Sequence, residues 1–331
     1  MLTIGALKLH SNLILAPMAG VTDLPFRALN HQFGAELCFV EMINCRCLGH
    51  KSKKTQQMLS TNELDKPLGV QLLGCEPQFI RRGLDVLKSY KFDILDFNAA
   101  CPERKVTRRG EGASLLKEPL KLQKLLKIVV KSVKVPVTVK IRTGWDKDSI
   151  NAVEVSRRAE EAGVQAVFIH GRTKQQLYAG SVDYEAIAEV KKAVKVPVIG
   201  SGDIFSGPLA EKMFKETGCD GILLARGALG NPWIFAQIRH YLKKHEELEP
   251  PPIQEIIKTM KSHLGLSVDF FGEKYGVIIF RKFFGWYTKG FRKIRPLREK
   301  ATSAKTRAHV EAVIDQICPR RYPRPAASSV K

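Results

Sequence analysis

From Asp93 to Phe97 the chain has the apolar pattern of a buried strand, which runs through Asn98-Ala99-Ala100 into Cys101-Pro102 and a basic loop, Glu103 to Arg109. Core cysteines lie inside apolar runs as small hydrophobes. One that follows a strand-end asparagine and opens an exposed loop is placed to meet an anionic substrate. Taken singly a cysteine is more often inert than reactive, so the chemical reading depends on its company. Similar polar residues end other apolar runs: Pro17-Met18-Ala19-Gly20, Gln71, Lys140-Ile141-Arg142, His170-Gly171-Arg172, Gly200-Ser201-Gly202-Asp203 and Ala225-Arg226-Gly227. His170 alone could be a satisfied core histidine, Gln71 a strand-end amide and Gly200-Ser201-Gly202 a tight turn. As a set they describe a cofactor site, because glycine-rich backbone can approach a phosphate closely and Arg226 adds charge. Lys140 can hold negative charge on a ring system, which the N1–C2=O edge of a reduced flavin requires.

These residues converge only if the elements before them are parallel. Eight runs of strand length recur: Leu13 to Ala16, Leu37 to Val40, Leu68 to Leu72, Ile94 to Phe97, Val137 to Ile141, Ala166 to Ile169, Val196 to Ile199 and Gly221 to Leu224. Between them lie segments with helical spacing, such as Pro119 to Ser132, Ile150 to Ala162 and Tyr184 to Ala193. Alternation of strand and helix means parallel pairing, and continuous apolar strands mean burial on both faces. Eight such units closed by right-handed crossovers give a (β/α)8 TIM barrel, whose active site lies at the C-terminal strand ends. A doubly wound open sheet is the competitor, though it seldom needs eight repeats. Ser132-Val133-Lys134-Val135-Pro136-Val137 is echoed by Ala193-Val194-Lys195-Val196-Pro197-Val198, each ending a helix and starting a strand where a proline costs little.

At 331 residues the chain exceeds the roughly 250 typical of one such barrel, so a small all-helical C-terminal domain is expected. Fifty-four Lys and Arg against 33 Asp and Glu leave +21, which predicts a polyanionic partner, nucleic acid or a membrane surface. From 231 to 331 there are twenty cations against nine anions, a net of +11. There Arg281-Lys282-Phe283-Phe284 through Arg292-Lys293-Ile294-Arg295 interleaves cations with aromatics, as where rings pack inward and cations turn to phosphate. The apolar runs Leu13 to Met18 and Val277 to Phe284 are too short or interrupted to span a bilayer, and no signal peptide opens the chain. A cytoplasmic protein with no membrane partner is expected. Seven scattered cysteines suit reduced thiols, and Cys45-Arg46-Cys47 lacks zinc-knuckle spacing, so no metal is expected.

The stretch Leu15-Ala16-Pro17-Met18-Ala19-Gly20-Val21-Thr22-Asp23 with Pro25-Phe26-Arg27, the Asn98 to Pro102 loop, Val139 to Trp145, His170 to Thr173, Gly202-Asp203-Ile204, and Arg226-Gly227-Ala228 with Asn231-Pro232-Trp233 resemble the tRNA-dihydrouridine synthases. The bacterial B-type branch is the most similar, over about residues 10 to 290. The resemblance implies an FMN barrel followed by a helical RNA-binding domain, with NADPH or NADH reducing FMN, hydride passing to C6 of a uridine in RNA, and a cysteine protonating C5. It carries proton donation onto Cys101, and FMN contacts onto Pro17, Met18, Ala19, Gln71, Lys140, His170, Ser201, Gly202, Asp203, Ala225 and Arg226. Substrate contacts fall on Asn98, Arg142 and Arg172, with Arg281, Lys282, Arg292, Lys293 and Arg295 for the RNA backbone. Hydride addition at C6 leaves an enolate-like anion across C5 and O4, which collapses fastest onto a nearby acid. A thiol must stay protonated for this, and Arg104 and Lys105 would lower its pKa if close.

Four residues depart from the family's usual pattern. Ala99-Ala100 stands for Met-Gly, and alanine does not take positive φ cheaply, so an altered loop path is expected. Ser201 stands for Asn, and Phe283 for the His of Arg-Lys-His. The expected domains are a catalytic barrel at 1–244, a helical RNA-binding domain at 245–318 after Pro250-Pro251-Pro252, and a basic disordered tail at 319–331. The expected substrate is RNA, tRNA before rRNA, and the expected state is a monomer. The competing functions are a small-molecule flavin oxidoreductase of the same barrel, which the basic helical domain opposes, and an RNA-binding protein that has lost turnover.

Overall fold

The computed structural model describes residues 1–49 and 53–318, so the basic tail at 319–331, with Arg320, Arg321 and Arg324, lies outside the described residues. Two short strands, β1 (Leu2–Ile4) and β2 (Leu7–Leu9), form an antiparallel hairpin. Nine parallel strands follow: β3 (Leu13–Leu15), β4 (Leu37–Phe39), β5 (Ile43–Asn44), β6 (Leu68–Leu73), β7 (Ile94–Asn98), β8 (Val137–Arg142), β9 (Ala166–His170), β10 (Val198–Ser201) and β11 (Gly221–Leu224). The strands β3, β4, β6, β7, β8, β9, β10 and β11 pair in that order, and β11 pairs back to β3. This closes an eight-stranded parallel barrel and excludes the open doubly wound sheet; β5 is a short addition beside β6. The helices at Pro119–Ser132 and Tyr184–Ala193 have the expected bounds, and that between them spans Ala152–Glu161. No helix among the described residues is long and apolar enough to cross a membrane.

Period-two alternation divides the inner face of the barrel into two levels. At the lower level Ile14, Leu37, Phe39, Ile94, Ala166, Phe168, Ile199 and Leu223 pack together with Leu2, Ile4 and Leu9 of the hairpin. Phe39 and Phe168 meet edge to face at 5.7 Å. Gly69 is required by close approach, since a Cβ there would lie 2.3 Å from the Phe39 ring. Two residues further along each strand the same face turns polar: Ile94 gives way to Asp96 and Asn98, Phe168 to His170, and Ile199 to Ser201. The registers place Gln71 beside Asp96, Asn98 beside Lys140, Arg142 beside His170, and His170 beside Ser201. An apolar floor thus lies beneath a ring of polar side chains.

The chain divides into two compact units, Met1–Arg226 and Gly227–Lys331. This division falls ahead of the expected 244/245 boundary and assigns the helix Ile234–Lys244 to the second unit. That unit continues with helices Ile253–Phe271, Glu273–Tyr287, Arg295–Ser303 and Arg307–Ile314. Met260, Leu264, Phe280, Phe283, Phe284 and Tyr287 are fully buried in it. Phe283 lies 4.3 Å from the His263 ring, centroid to centroid, so the residue that replaces the family's histidine is part of the core. Among the cations expected to bind RNA, Arg292, Lys293 and Arg295 are exposed. Half-buried Arg281 donates to the Ala304 carbonyl at 2.7 Å, and Lys282 lies over the Phe283 ring at 4.9 Å.

Candidate active site

Cys101 follows β7 and is half-buried. Asn98, the last residue of that strand, accepts the backbone N–H groups of Ala100 and Cys101 on its Oδ1 at 3.0 and 2.8 Å. Its Nδ2 donates to Gln71 Oε1 at 2.8 Å, so the Asn98 side chain fixes the cysteine loop to β6. Neither Ala99 nor Ala100 takes a positive φ, so the loop path seen here asks nothing of the alanine pair that only glycine could supply. Arg142, at the end of β8, is buried and donates to three carbonyls: Ala100 at 2.9 Å, Thr173 at 2.8 Å and Leu177 at 2.9 Å.

The far side of the cysteine loop is held by Glu111, which is buried and accepts from Asn44 Nδ2 at 2.9 Å and from Arg109 Nε at 3.0 Å. Cys101 O accepts the Ala113 amide at 3.0 Å. Between them Gly112 has φ +58, and a Cβ there would lie 2.7 Å from Cys101 O and 3.1 Å from Cys101 Cβ. Gly112→Ala is therefore expected to lower stability by about 1–3 kcal/mol through backbone strain, read as a lower urea midpoint, and to change the alkylation rate of Cys101. Unchanged values of both would show that the close approach is not needed.

Burial pushes the Cys101 thiol up, assisted by the Glu103 charge and opposed by the Glu103 amide, Arg142 and Lys105. The net direction is upward, so the basic neighbours do not ionise it. On the neighbouring strand β8, burial lowers Lys140 to about 8, with Arg142 adding to the effect and Asp96 opposing it. His170 is pushed down to about 2 by burial and then by Lys140, Arg142, Arg172 and Arg226, so it is neutral at working pH. Its Nδ1 lies 3.3 Å from Ser201 Oγ. Three buried atoms here have no hydrogen-bond partner among the described residues: Lys140 Nζ, His170 Nε2 and Arg172 Nη1.

Asp203, with φ +48, joins Arg172 and Arg226 in one ion-pair network, with Arg226 Nη2 at 2.5 Å. Arg172 also donates to the Ala179 and Gly180 carbonyls, and Arg226 lies over the exposed Tyr178 ring at 4.7 Å. Pro17 and Met18 turn the chain after β3, where the Met18 amide donates to Thr22 Oγ1 at 3.1 Å; Ala19 beside them is exposed. Gly202 follows β10, and half-buried Ala225 follows β11. The barrel thus gathers Gln71, Asn98, Lys140, Arg142, His170 and Ser201 through strand register, whereas the five cations of the second unit belong to that unit's own surface and core.

Sequence reading missed Asp96 and Thr138 in the same row of side chains; their two-residue spacing from Asn98 and Lys140 on the same strands was the available signal. It also missed the partners of Arg27, a fully buried guanidinium that meets Asp65 at 2.7 Å and the Thr22 and Ser60 carbonyls. Nothing in the sequence marks Asp65 as that partner.

Unpartnered donors and a neutral histidine above an apolar floor suit a flat, electron-rich ring carrying anionic groups, and fold and site together define an α/β-barrel oxidoreductase. The same barrel occurs in histamine dehydrogenase from Rhizobium sp. 4-9 (TM-score 0.57, 11% identity, 80% of this chain and 50% of that one). It occurs also in a 2-naphthoyl-CoA reductase (TM-score 0.58, 12% identity, 72% and 51%). The chain spans about half the length of these structures, and the likeness is one of fold. More specifically, the chain belongs to the dihydrouridine synthase family, whose model matches residues 14–321. It is 42% identical over 284 residues to tRNA-dihydrouridine synthase B of Pseudomonas aeruginosa, covering 86% of both chains. It is 39% identical over 319 residues to the protein of that name from Pseudomonas syringae pv. tomato, covering 95% of both.

Proposed function

We propose that this protein reduces uridines of folded tRNA to 5,6-dihydrouridine, with FMN as cofactor, NADPH or NADH as reductant and Cys101 as general acid. The observation that carries this reading is the placement of a protonated, half-buried thiol on a loop tied through Asn98 to Gln71, in the barrel mouth that holds three unpartnered buried nitrogens. Lys140, His170 and Gln71 would hold the ring of FMN, and Ser201, Gly202, Ala225 and Arg226 its phosphate side, where Asp203 orients Arg226, with Pro17, Met18 and Ala19 lining the first strand end. When bound, FMN supplies hydride to uracil C6. Cys101 Sγ gives its proton to C5 as the negative charge there collapses, and the thiolate regains a proton from solvent. Arg142 and Arg172 make the mouth strongly positive, which favours the developing charge on the uracil oxygens.

The test is an absorbance spectrum of the purified protein followed by assay with NADPH and unmodified tRNA or rRNA. Bound yellow flavin and dihydrouridine formed in tRNA support the reading. A preparation that neither carries nor takes up FMN defeats it, and reduction confined to rRNA moves the substrate.

The exposed cations of the second unit carry the proposed RNA binding. Reversing Arg292, Lys293 and Arg295 together should weaken tRNA binding and reduce the slope of log K against log salt by about 0.7–0.9 for each phosphate that is no longer neutralised. Fluorescence anisotropy at several salt concentrations checks this. An unchanged slope would send the RNA elsewhere. Arg281→Glu should instead lower stability, since that side chain holds a carbonyl of its own unit.

A further inference from the structure

Asp96 is a buried carboxylate that the chemistry above does not use. It lies on the inner face of β7, two residues before Asn98 and 2% exposed. Its Oδ1 accepts the Thr138 hydroxyl at 2.7 Å and its Oδ2 accepts Gln71 Nε2 at 2.7 Å. Gln71 Oε1 then accepts from Asn98 Nδ2, and Asn98 Oδ1 accepts the amides of Ala100 and Cys101. Each side-chain amide has one accepting and one donating end, so the direction of one bond fixes the next. At the loop end two backbone N–H groups can only donate. At the other end Gln71 needs a buried acceptor, and an ionised carboxylate offers nothing else.

We propose that Asp96 is a positioning residue for the general acid: as the terminal acceptor of this row, it keeps the Gln71 amide from turning over and so holds the Asn98 oxygen on the Cys101 loop. The role of Cys101 in chemistry rests on the function proposed above, whereas the holding of its loop does not. The same residue could matter only as a counter-charge to Lys140, and these two roles separate by substitution. In Asp96→Asn the amide oxygen still accepts from Gln71, and the new NH2 group donates to the Thr138 hydroxyl, so the row survives while the charge is lost. Asp96→Leu and the smaller Asp96→Val offer no acceptor.

Two readouts apply to the full chain. One is the iodoacetamide alkylation rate of Cys101, read by peptide mass spectrometry against the exposed Cys47 and Cys318. The other is dihydrouridine formed in tRNA relative to NADPH oxidised by oxygen. Asp96→Leu should raise Cys101 alkylation and lower the tRNA reaction by about tenfold each, the scale set by one unpaired buried donor, while NADPH oxidation changes far less. Asp96→Asn should stay within about threefold of the parent in both. Where the leucine variant fails to fold, Asp96→Val takes its place, because its smaller apolar side chain still fills the space and excludes water. Equal losses in the asparagine and leucine variants would overturn the proposal in favour of the counter-charge, and a leucine or valine variant with unchanged alkylation would overturn it outright. If the parent forms no dihydrouridine, the functional reading fails while the alkylation arm still decides the role of Asp96.

Discussion

Cys101→Ala is expected to lower dihydrouridine formation by about 10²–10⁴-fold, the usual loss on removing a general acid, while flavin binding and NADPH oxidation by oxygen persist. The separation follows from the site: the residues that would hold the ring lie on other strands, and the Cys101 loop is bonded through its backbone, which alanine keeps. Burial holds the thiol above its ordinary value, so it is a proton donor across neutral pH. Cys101→Ser should be poor as well, because a hydroxyl is a far weaker acid than a thiol of pKa about 8.5. Single-turnover assay of tRNA with the pre-reduced variant measures the step directly. Full activity of the alanine variant would remove Cys101 from the mechanism.

Lys140→Met should weaken FMN binding by about 10- to 100-fold, the range for a charge-assisted hydrogen bond in a buried site. The ammonium has no hydrogen-bond partner among the described residues, so its contribution goes to whatever ring is bound. Its pKa in the free protein is held down to about 8 by burial and Arg142 against Asp96. The sign follows: below about pH 8 the ammonium is present to donate to the acceptor atoms of the ring, and above it the charge is lost. FMN affinity of the flavin-free chain should therefore fall as pH rises through about 8, and this step should be missing from Lys140→Met. Flavin fluorescence quenching over a pH series reads both effects. A pH step that survives the substitution would place the titrating group elsewhere.

The eight barrel strands were legible because each is a short apolar run bounded by polar or turn residues, a signal that depends on no partner. The hairpin β1–β2 was not, since three-residue strands carry too little pattern to separate from a loop. Strand-end polar residues were legible for the same reason as the strands: once the barrel is recognised, position along each run says which end a residue occupies. Asp96 and Thr138 escaped because a polar residue inside an apolar run reads as a defect until its cross-strand neighbour is known. Glu111 with Asn44, and Arg27 with Asp65, join residues far apart in the chain, and such pairings have no local signature. For Phe283 the pattern gave the departure from the family, but only the helix packing shows that the position is filled by the core.

Arg142 donates to Ala100 on one loop and to Thr173 and Leu177 on another. One planar guanidinium thus spans two segments that are distant in sequence, and a lysine could not reproduce its fixed fork. The two loops are therefore expected to open together in the native ensemble. Opening either exposes a buried cation and breaks bonds that belong to the other, so their amide exchange should share a single opening free energy instead of two.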